Sequence, residues 1–262
     1  MRTGVLVACA VVAIACLGFI AVSDDCGAEV RSPIAIASDY EFTAENGVLC
    51  GSGTASDPYI IDGGTIDAGY AEYGIRIERT TRHVVIRNLT ISGASKAAIF
   101  LSYVKNVTLE ACTFVGNWVG VTMNFTTDVS VSGCEFASNT DGIHGYFSRD
   151  NRISSCTFEN NDTGLWLDAC HENVIVDNAL SRNHMGIYLD LGSEGNKLYR
   201  NAFVDNLHNA HSVTDNLWDC DGVGNYWFDY VGIDANEDGI GDAPYIIRSE
   251  GDQDNFPLLT AP

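Results

Sequence analysis

Short runs of alternating hydrophobic and polar residues recur every 22 residues through the middle of the chain. Each run opens on a small residue and continues with an apolar residue, a variable residue and, in most copies, a second apolar residue. The opening residues are Ala98, Gly120, Gly142, Gly164 and Gly186. A repeat this short buries its apolar side only by stacking on its neighbours, so the pattern predicts a solenoid rather than a set of independent domains.

Each period contains three strand-like segments, which predicts an all-β fold of the right-handed parallel β-helix class. Stacked parallel strands bring equivalent residues to about 4.8 Å from one another, with alternate side chains pointing in and out. The Ile, Leu, Val and Phe columns would then form the core. A leucine-rich repeat is the alternative fold, but its Leu-x-x-Leu-x-Leu pattern is absent.

An asparagine lies three residues before each repeated glycine, and it marks a corner of the coil. The asparagines are Asn117, Asn139, Asn161 and Asn183. Because asparagine tolerates left-handed backbone and bonds its own neighbours, we expect it to adopt that conformation here. The third strand next recurs at residues 201–203, after 23 residues instead of 22, which predicts one inserted residue near positions 192–195.

Four segments are predicted along the chain. Residues 1–23 are a signal peptide or an N-terminal membrane anchor, because an uncharged apolar stretch follows Arg2 and small residues precede Asp24. Residues 24–57 are an N-terminal cap, 58–218 the β-helix, and 219–262 a C-terminal cap with an Asp-rich loop. Either interpretation of the first segment places the body outside the cytoplasm, in the cell envelope or the extracellular space.

The net charge disfavours nucleic acid as a partner, and the cysteine positions indicate how the cap and the core are built. The chain has 35 acidic and 14 basic residues, a net charge of -21, so nucleic acid would be repelled. Contact with a membrane is expected only through the N-terminal segment. Cys26 and Cys50 could staple the N-terminal cap, whereas a column of Cys112, Cys134 and Cys156 is expected to pack inside as small apolar residues.

The loop from Asp234 to Asp242 predicts a Ca²⁺ site in the C-terminal cap. Asp234, Asn236, Asp238 and Asp242 occupy positions 1, 3, 5 and 9 of the loop, with the carbonyl of Ile240 at position 7. Position 12 holds a tyrosine instead of a bidentate glutamate. A polar surface turn is the alternative interpretation.

Two outward columns of the first strand predict a ligand-binding face. The columns contribute the candidate residues Phe100, His144, Trp166 and Tyr188, and beside them Asn124, Tyr146, Asp168 and Asp190. Exposed aromatic rings next to carboxylates and amides suit sugars, because rings pack on pyranose C–H surfaces and polar groups bind hydroxyls. Glycans or other cell-envelope components are therefore the expected partners. An ordinary sheet surface is the alternative.

The same face leaves an enzymatic alternative open, a polysaccharide hydrolase or lyase. Asp168 and Asp190 would lie one coil apart, close enough for their repulsion to create an acid–base pair, and His144 lies one coil below Trp166. The run Asn139, Thr140, Asp141, Gly142 is similar to the Asn-Thr-Asp motif of polygalacturonases. It coincides with the corner of the repeat itself, which weakens that likeness.

The two ends of the chain carry a family resemblance. Residues 53–63, GTASDPYIIDG, residues 224–230, GNYWFDY, and residues 254–258, DNFPL, resemble the entry and exit segments of NosD-like parallel β-helix proteins. The resemblance implies a repeat protein of the cell surface, and its bacterial namesake is tied to copper-site maturation. A copper-handling role is thus a third interpretation. Its candidate ligands are the pairs Cys170–His171 and His184–Met185, with His208 and His211, in a spacing that matches no standard ligand set.

Overall fold

The computed structural model describes residues 29–247 and 251–262, so the predicted signal or anchor segment and Cys26 lie outside the described residues. The described chain is a parallel β-solenoid with 22 residues in its regular coils, which confirms the predicted fold class. Two short 3-10 turns, Asp39–Glu41 and Ala44–Asn46, are its helical elements in those ranges.

The regular coils contain three strands each, and the first coils contain two. The first seven are β1 (Ile34–Ile36), β2 (Tyr59–Asp67), β3 (Tyr73–Thr80), β4 (Val84–Ser92), β5 (Ala97–Val104), β6 (Val107–Glu110) and β7 (Thr113–Val115). The regular coils comprise β8 (Val119–Asn124), β9 (Ser130–Ser132), β10 (Glu135–Ala137), β11 (Asp141–Tyr146), β12 (Arg152–Ser154), β13 (Thr157–Glu159), β14 (Thr163–Asp168), β15 (Val174–Val176) and β16 (Ala179–Ser181). The last are β17 (Met185–Asp190), β18 (Lys197–Tyr199), β19 (Ala202–Val204), β20 (His208–Ser212), β21 (Tyr226–Trp227), β22 (Tyr245–Ile246) and β23 (Gln253–Asp254).

One strand of each coil joins an eight-stranded parallel sheet in the order β1-β3-β5-β8-β11-β14-β17-β20. The second and third strands form a larger sheet, in which the long strand β4 pairs with both β6 and β7 and so joins the two series. Strand β1 pairs with β3 in register, so the first coil begins within the segment predicted as the N-terminal cap. The eight-stranded sheet carries the face predicted to bind ligand.

Asparagine side chains form hydrogen-bonded columns inside the corners of the coils. Asn161 is typical: its Oδ1 accepts the backbone N–H of Asn139 at 3.0 Å, and its Nδ2 donates to the carbonyl of Phe136 at 3.0 Å. It is 3% exposed. Each rung thus satisfies buried backbone groups of the coil below, which explains why asparagine recurs at this corner.

The left-handed residue at this corner is the one before the asparagine, which corrects the expectation that asparagine itself adopts that conformation. Ser138 and Asn160 have φ of 55°, and Gly116 has 65°. The asparagines are instead held by their hydrogen bonds. The inserted residue is confirmed: Asp168 pairs with Asp190 after 22 residues, whereas Cys170 meets Ser193 after 23.

Two aromatic columns stack along the solenoid. The inner one is Phe114–Phe136–Phe158, fully buried, with ring centroids 5.0 and 4.7 Å apart. The outer one is Tyr103–Phe125–Phe147, with centroids 4.7 and 5.0 Å apart and exposures between 41% and 56%. The repeat therefore builds one ring stack in the core and a second on the surface.

The four cysteines of the coils behave as small core residues. Cys112, Cys134 and Cys156 are each 1% exposed, as the sequence predicts. Burial raises the pKa of the Cys170 thiol to about 11, so it stays protonated at neutral pH. Cys50 is exposed with a free thiol.

Buried carboxylates terminate two asparagine columns at the C-terminal end. Asp254 Oδ2 accepts the backbone N–H of Asn225 at 2.6 Å and the indole N–H of Trp227 at 2.8 Å. Asp252 Oδ2 accepts the indole N–H of Trp218 at 3.0 Å. The last coil thus finds hydrogen-bond acceptors in the cap, where no further coil follows.

Candidate functional site

The outward columns of the eight-stranded sheet align as the sequence predicts. His144 pairs in register with Trp166, and Trp166 with Tyr188. In the neighbouring column Tyr146 pairs with Asp168, and Asp168 with Asp190. Six of the predicted ligand-binding residues are therefore together on three adjacent strands, β11, β14 and β17.

Two of these residues are not exposed, contrary to expectation. His144 and Asp168 are each 6% exposed, because the rings of Tyr146 and Trp166 cover them. Trp166 Nε1 donates to Asp168 Oδ1 at 2.9 Å, and His144 Nε2 lies 3.4 Å from Asp168 Oδ2. Both carboxylate oxygens of Asp168 are thus engaged within the protein.

Trp166 and Tyr188 instead define an open cleft of about 340 Å³, whose other lining residues are Asp162, Thr163, His184 and Met185. Their ring centroids are 5.4 Å apart at 78°, an edge-to-face contact. His211 stacks on the far side of Tyr188 at 4.7 Å. The cleft therefore has two aromatic walls at right angles and polar groups along its rim.

Phe100 and Asn124 lie away from this cleft. Phe100 is two coils below His144 and packs on Tyr73, with ring centroids 4.7 Å apart. Asn124 donates to Ser102 Oγ at 3.3 Å. The predicted columns thus continue down the sheet, but the cleft uses only their upper part.

The cleft also includes residues that sequence reasoning did not assign to it. Asp162, Thr163 and Met185 come from the start of each strand or the residue before it, in a column just outside the two predicted ones. Asp141 belongs to the same column, and its Oδ2 lies 3.2 Å from His144 Nδ1. The spacing of three residues between Asp141 and His144 was the available signal.

Asp168 and Asp190, the two carboxylates of the enzymatic alternative, both accept hydrogen bonds within the protein. Asp190 Oδ1 accepts the N–H of Leu191 at 2.7 Å, and its Oδ2 accepts the Tyr188 hydroxyl at 3.4 Å. Burial raises the pKa of Tyr188, and the Asp190 carboxylate raises it further. Asp168 is thus buried and engaged through both oxygens, whereas Asp190 is partly exposed.

The Asp-rich loop closes on itself. Asp234 Oδ2 accepts the N–H of Gly239 at 2.9 Å, and Asp238 Oδ1 accepts that of Ile240 at 2.9 Å. Asp242 Oδ2 accepts the N–H of Ala235 at 2.9 Å. Asn236 donates to Asp238 Oδ2. Hydrogen bonds within the loop thus hold the carboxylates that were predicted to bind calcium.

Part of the predicted soft-ligand set meets at the upper edge of the cleft. Met185 pairs in register with His208, and the rings of His184 and His208 lie 5.8 Å apart. Cys170 is fully buried, and its sulfur accepts the backbone N–H of Ser148 at 3.4 Å. Across residues 29–247 and 251–262, no three His, Cys, Asp or Glu side chains are placed to hold a metal ion together.

Comparison with known proteins identifies the family. The family model described as "Periplasmic copper-binding protein (NosD)" matches residues 38–232, about three quarters of the chain. The chain belongs to the NosD family. The family description is periplasmic, which agrees with a location in the cell envelope or outside the cell.

Two curated relatives match a short part of this NosD-family chain. Both are described as probable ABC transporter binding protein NosD: the one from Stutzerimonas stutzeri is 48% identical over 56 residues, and the one from Pseudomonas aeruginosa is 45% identical over 56 residues. The match covers 21% of this chain and 13% of each relative. The chain therefore spans a small part of the relatives it matches.

One solved structure supports the fold. The complex of XylC with xylose aligns with a TM-score of 0.52 and 14% identity, over 60% of this chain and 31% of XylC. An alginate lyase from Paenibacillus aligns with a TM-score of 0.34 and 12% identity, over 71% of this chain and 95% of the lyase. Within the described ranges, no helix is long and apolar enough to cross a bilayer.

Proposed function

We propose that this NosD-family protein binds neutral carbohydrate in the Trp166–Tyr188 cleft, as a module of the cell envelope or the extracellular space. The observation that supports the proposal is the pair of half-buried aromatic rings set at 78° in a cleft of about 340 Å³. One ring offers a face to the C–H surface of a sugar while the other closes the side of the ring.

The rim of the cleft supplies the polar contacts that a sugar needs. The carboxylate of Asp162 can accept hydroxyl protons, and Thr163 and His184 can donate or accept. The surrounding carboxylates and the net charge of -21 favour neutral glycans over uronates, which the protein would repel. XylC, a protein of similar fold, was solved with xylose, so neutral pentose and hexose polymers are the first ligands to test.

Substitution of the cleft rings tests this proposal. A glycan array identifies a ligand, and titration calorimetry then compares Tyr188→Ala and Trp166→Phe with the unmodified protein. We expect at least about a tenfold loss of affinity for Tyr188→Ala, since one stacking contact with its buried area contributes roughly 1.5 kcal/mol. Trp166→Phe keeps a ring and should lose less. Tyr40→Ala is the matched control, because Tyr40 is 93% exposed in the N-terminal region. Unchanged affinity in folded cleft variants, or no neutral ligand at all, would refute the proposal.

A second proposal is that a soft metal ion such as Cu(I) binds at the upper edge of the cleft. The family description names copper, and a Met185 thioether beside His184 and His208 offers ligand types that suit Cu(I). Anaerobic competition with a chromophoric Cu(I) chelator measures the affinity. Met185→Leu and His208→Gln should each weaken it at least about tenfold, whereas His83→Gln should not. Equal affinities in all four proteins would exclude this site.

Calcium binding by the Asp234–Asp242 loop is a separate proposal, supported by the spacing of its oxygen ligands. Calcium would have to displace the hydrogen bonds that the carboxylates now accept within the loop. A rise in melting temperature with added Ca²⁺, absent in Asp238→Ala, supports it. A melting temperature that neither Ca²⁺ nor a chelator changes contradicts it.

A further inference from the structure

His144 has an environment unlike that of its column neighbours. Its ring lies under Trp166, with centroids 4.5 Å apart and planes 14° apart, and over Tyr146 at 4.0 Å. It is 6% exposed. The His144 ring therefore supports the face of Trp166, one of the two aromatic residues of the cleft.

Both ring nitrogens of His144 face carboxylates. Nδ1 lies 3.2 Å from Asp141 Oδ2, and Nε2 lies 3.4 Å from Asp168 Oδ2. Only the doubly protonated imidazolium donates from both nitrogens, whereas a neutral ring would turn a lone pair towards one buried carboxylate. The aromatic rings above and below also favour a cation between them.

The same cluster fixes Trp166. The second oxygen of Asp168 accepts the indole N–H of Trp166 at 2.9 Å, so hydrogen bonds connect His144, Asp168 and Trp166 in series, and Asp141 lies in ion-pair contact with the other nitrogen of His144. Besides Asp141 and Asp168, the titratable Tyr146 hydroxyl faces His144, 3.3 Å from Nδ1. Burial raises the pKa of Tyr146, with Asp168 and Asp141 adding to the effect, so it remains a neutral hydroxyl near pH 7.

We infer that His144 is a positioning residue, which fixes Trp166 through its contacts with Asp141 and Asp168, and that loss of a ring proton makes ligand binding in the Trp166–Tyr188 cleft depend on pH. The inference rests on the proposed carbohydrate function. When the pH rises and Nδ1 loses its proton, the Asp141 carboxylate faces a lone pair and repels it. Rotation of the ring relieves this contact but breaks the bond to Asp168, and Trp166 loses its fixed support.

A looser Trp166 must be ordered when a sugar binds, and ordering one side chain lowers affinity roughly three- to tenfold. Affinity is therefore expected to be highest at low pH and to fall as His144 becomes neutral. His144→Gln, which carries no charge, should bind with the weaker affinity at every pH. His83→Gln, a substitution in the N-terminal coils, should keep the pH profile of the unmodified protein.

Nuclear magnetic resonance tests the charge and the positioning without any sugar. Imidazole ¹⁵N shifts, recorded over roughly pH 5.5 to 8.5, should show both His144 nitrogens protonated at the acid end. Asp141→Asn removes one carboxylate and should make His144 lose its second proton at lower pH. The protection of the Trp166 indole N–H from solvent exchange, measured relative to the exposed indole of Trp118 at each pH, should fall over the same pH interval.

The outcomes separate the two proposals. A neutral His144 tautomer at the acid end, or indole exchange that does not follow the His144 titration, overturns the positioning role. Affinity that stays constant while His144 titrates overturns the coupling to binding. If no glycan binds the unmodified protein, the carbohydrate proposal and the coupling to it both fail, while the resonance data still decide whether the imidazolium holds Trp166.

Discussion

Asp254 shows how a single buried charge can set the pH dependence of the C-terminal cap. The residue is fully buried, and burial raises its pKa even though Asn225, Trp227 and Phe256 donate hydrogen bonds to it. A raised folded pKa means that the native state holds the proton more tightly than the unfolded chain. Its favourable contribution is thus complete below the unfolded value of about 3.9 and is lost as pH rises through the folded value.

Asp254→Asn removes that penalty and keeps one oxygen acceptor. Relative to the unmodified protein, its free energy of unfolding should therefore improve steadily as pH rises from about 4 to 7. Asp254→Ala leaves three donors without partners and should cost roughly 3 kcal/mol or more. Urea denaturation at several pH values measures both, with exposed Asp221→Asn as control. Parallel pH profiles for Asp254→Asn and the unmodified protein would contradict the assignment.

Individual site residues were predictable only in part. The positions of Trp166, Tyr188, Asp168 and Asp190 follow from the period, because one register decides which side chains point outward. The burial of His144 does not follow from it, since burial depends on which neighbouring rings cover the residue. Sequence reasoning therefore expected an exposed polar face where the structure has an internal ion cluster beside an open cleft.

At the scale of the element, the two aromatic columns allow the contribution of burial to stability to be measured apart from that of ring stacking. Phe136 and Phe125 each stack between two rings at nearly equal spacing, but Phe136 is fully buried and Phe125 is 41% exposed. Phe136→Ala should cost about 3–5 kcal/mol, because it leaves a cavity in the core. Phe125→Ala should cost about 0.5–1.5 kcal/mol, the value of the stacking alone.

Chemical denaturation of both variants measures this difference. Ala169 occupies the position of Phe125 two coils later with a φ of 49°, so alanine fits the backbone there. Similar costs for the two substitutions would show that the outer column stabilises the wall as much as the core does. The inner column was predictable from the sequence as a core column. The outer one was not, because exposed aromatic residues at left-handed positions follow no common turn pattern.

At the corners, too, the sequence predicts where a residue lies but not which groups it contacts. The recurrence of asparagine every 22 residues was sufficient to place a corner at Asn161. Its conformation was predicted wrongly, because turn statistics describe an asparagine that bonds locally, whereas this one bonds the coil below. Stacking of identical side chains between coils is a long-range effect that a single period of sequence does not contain.

At the scale of the whole molecule, the repeat restricts which changes in the number of residues the solenoid can accept. Val119 and Asp141 are equivalent positions in adjacent coils, so deletion of residues 119–140 removes 22 residues and one complete coil. The asparagine, phenylalanine and outward columns then continue from the coil below to the coil above without a shift. Because each coil contacts only its neighbours, stability is close to a sum over coils and their interfaces.

The deletion variant should therefore fold, with an unchanged circular dichroism spectrum per residue and a melting temperature lower by roughly 5–10 °C. Deletion of residues 119–139, one residue fewer, should not fold, because a slip of one residue sends the side chains of the adjoining strand to the opposite face. Size-exclusion chromatography and thermal melts compare the two. Equal behaviour would show that neighbouring coils can absorb a register error, whereas loss of folding in both would show that the coils do not contribute independently.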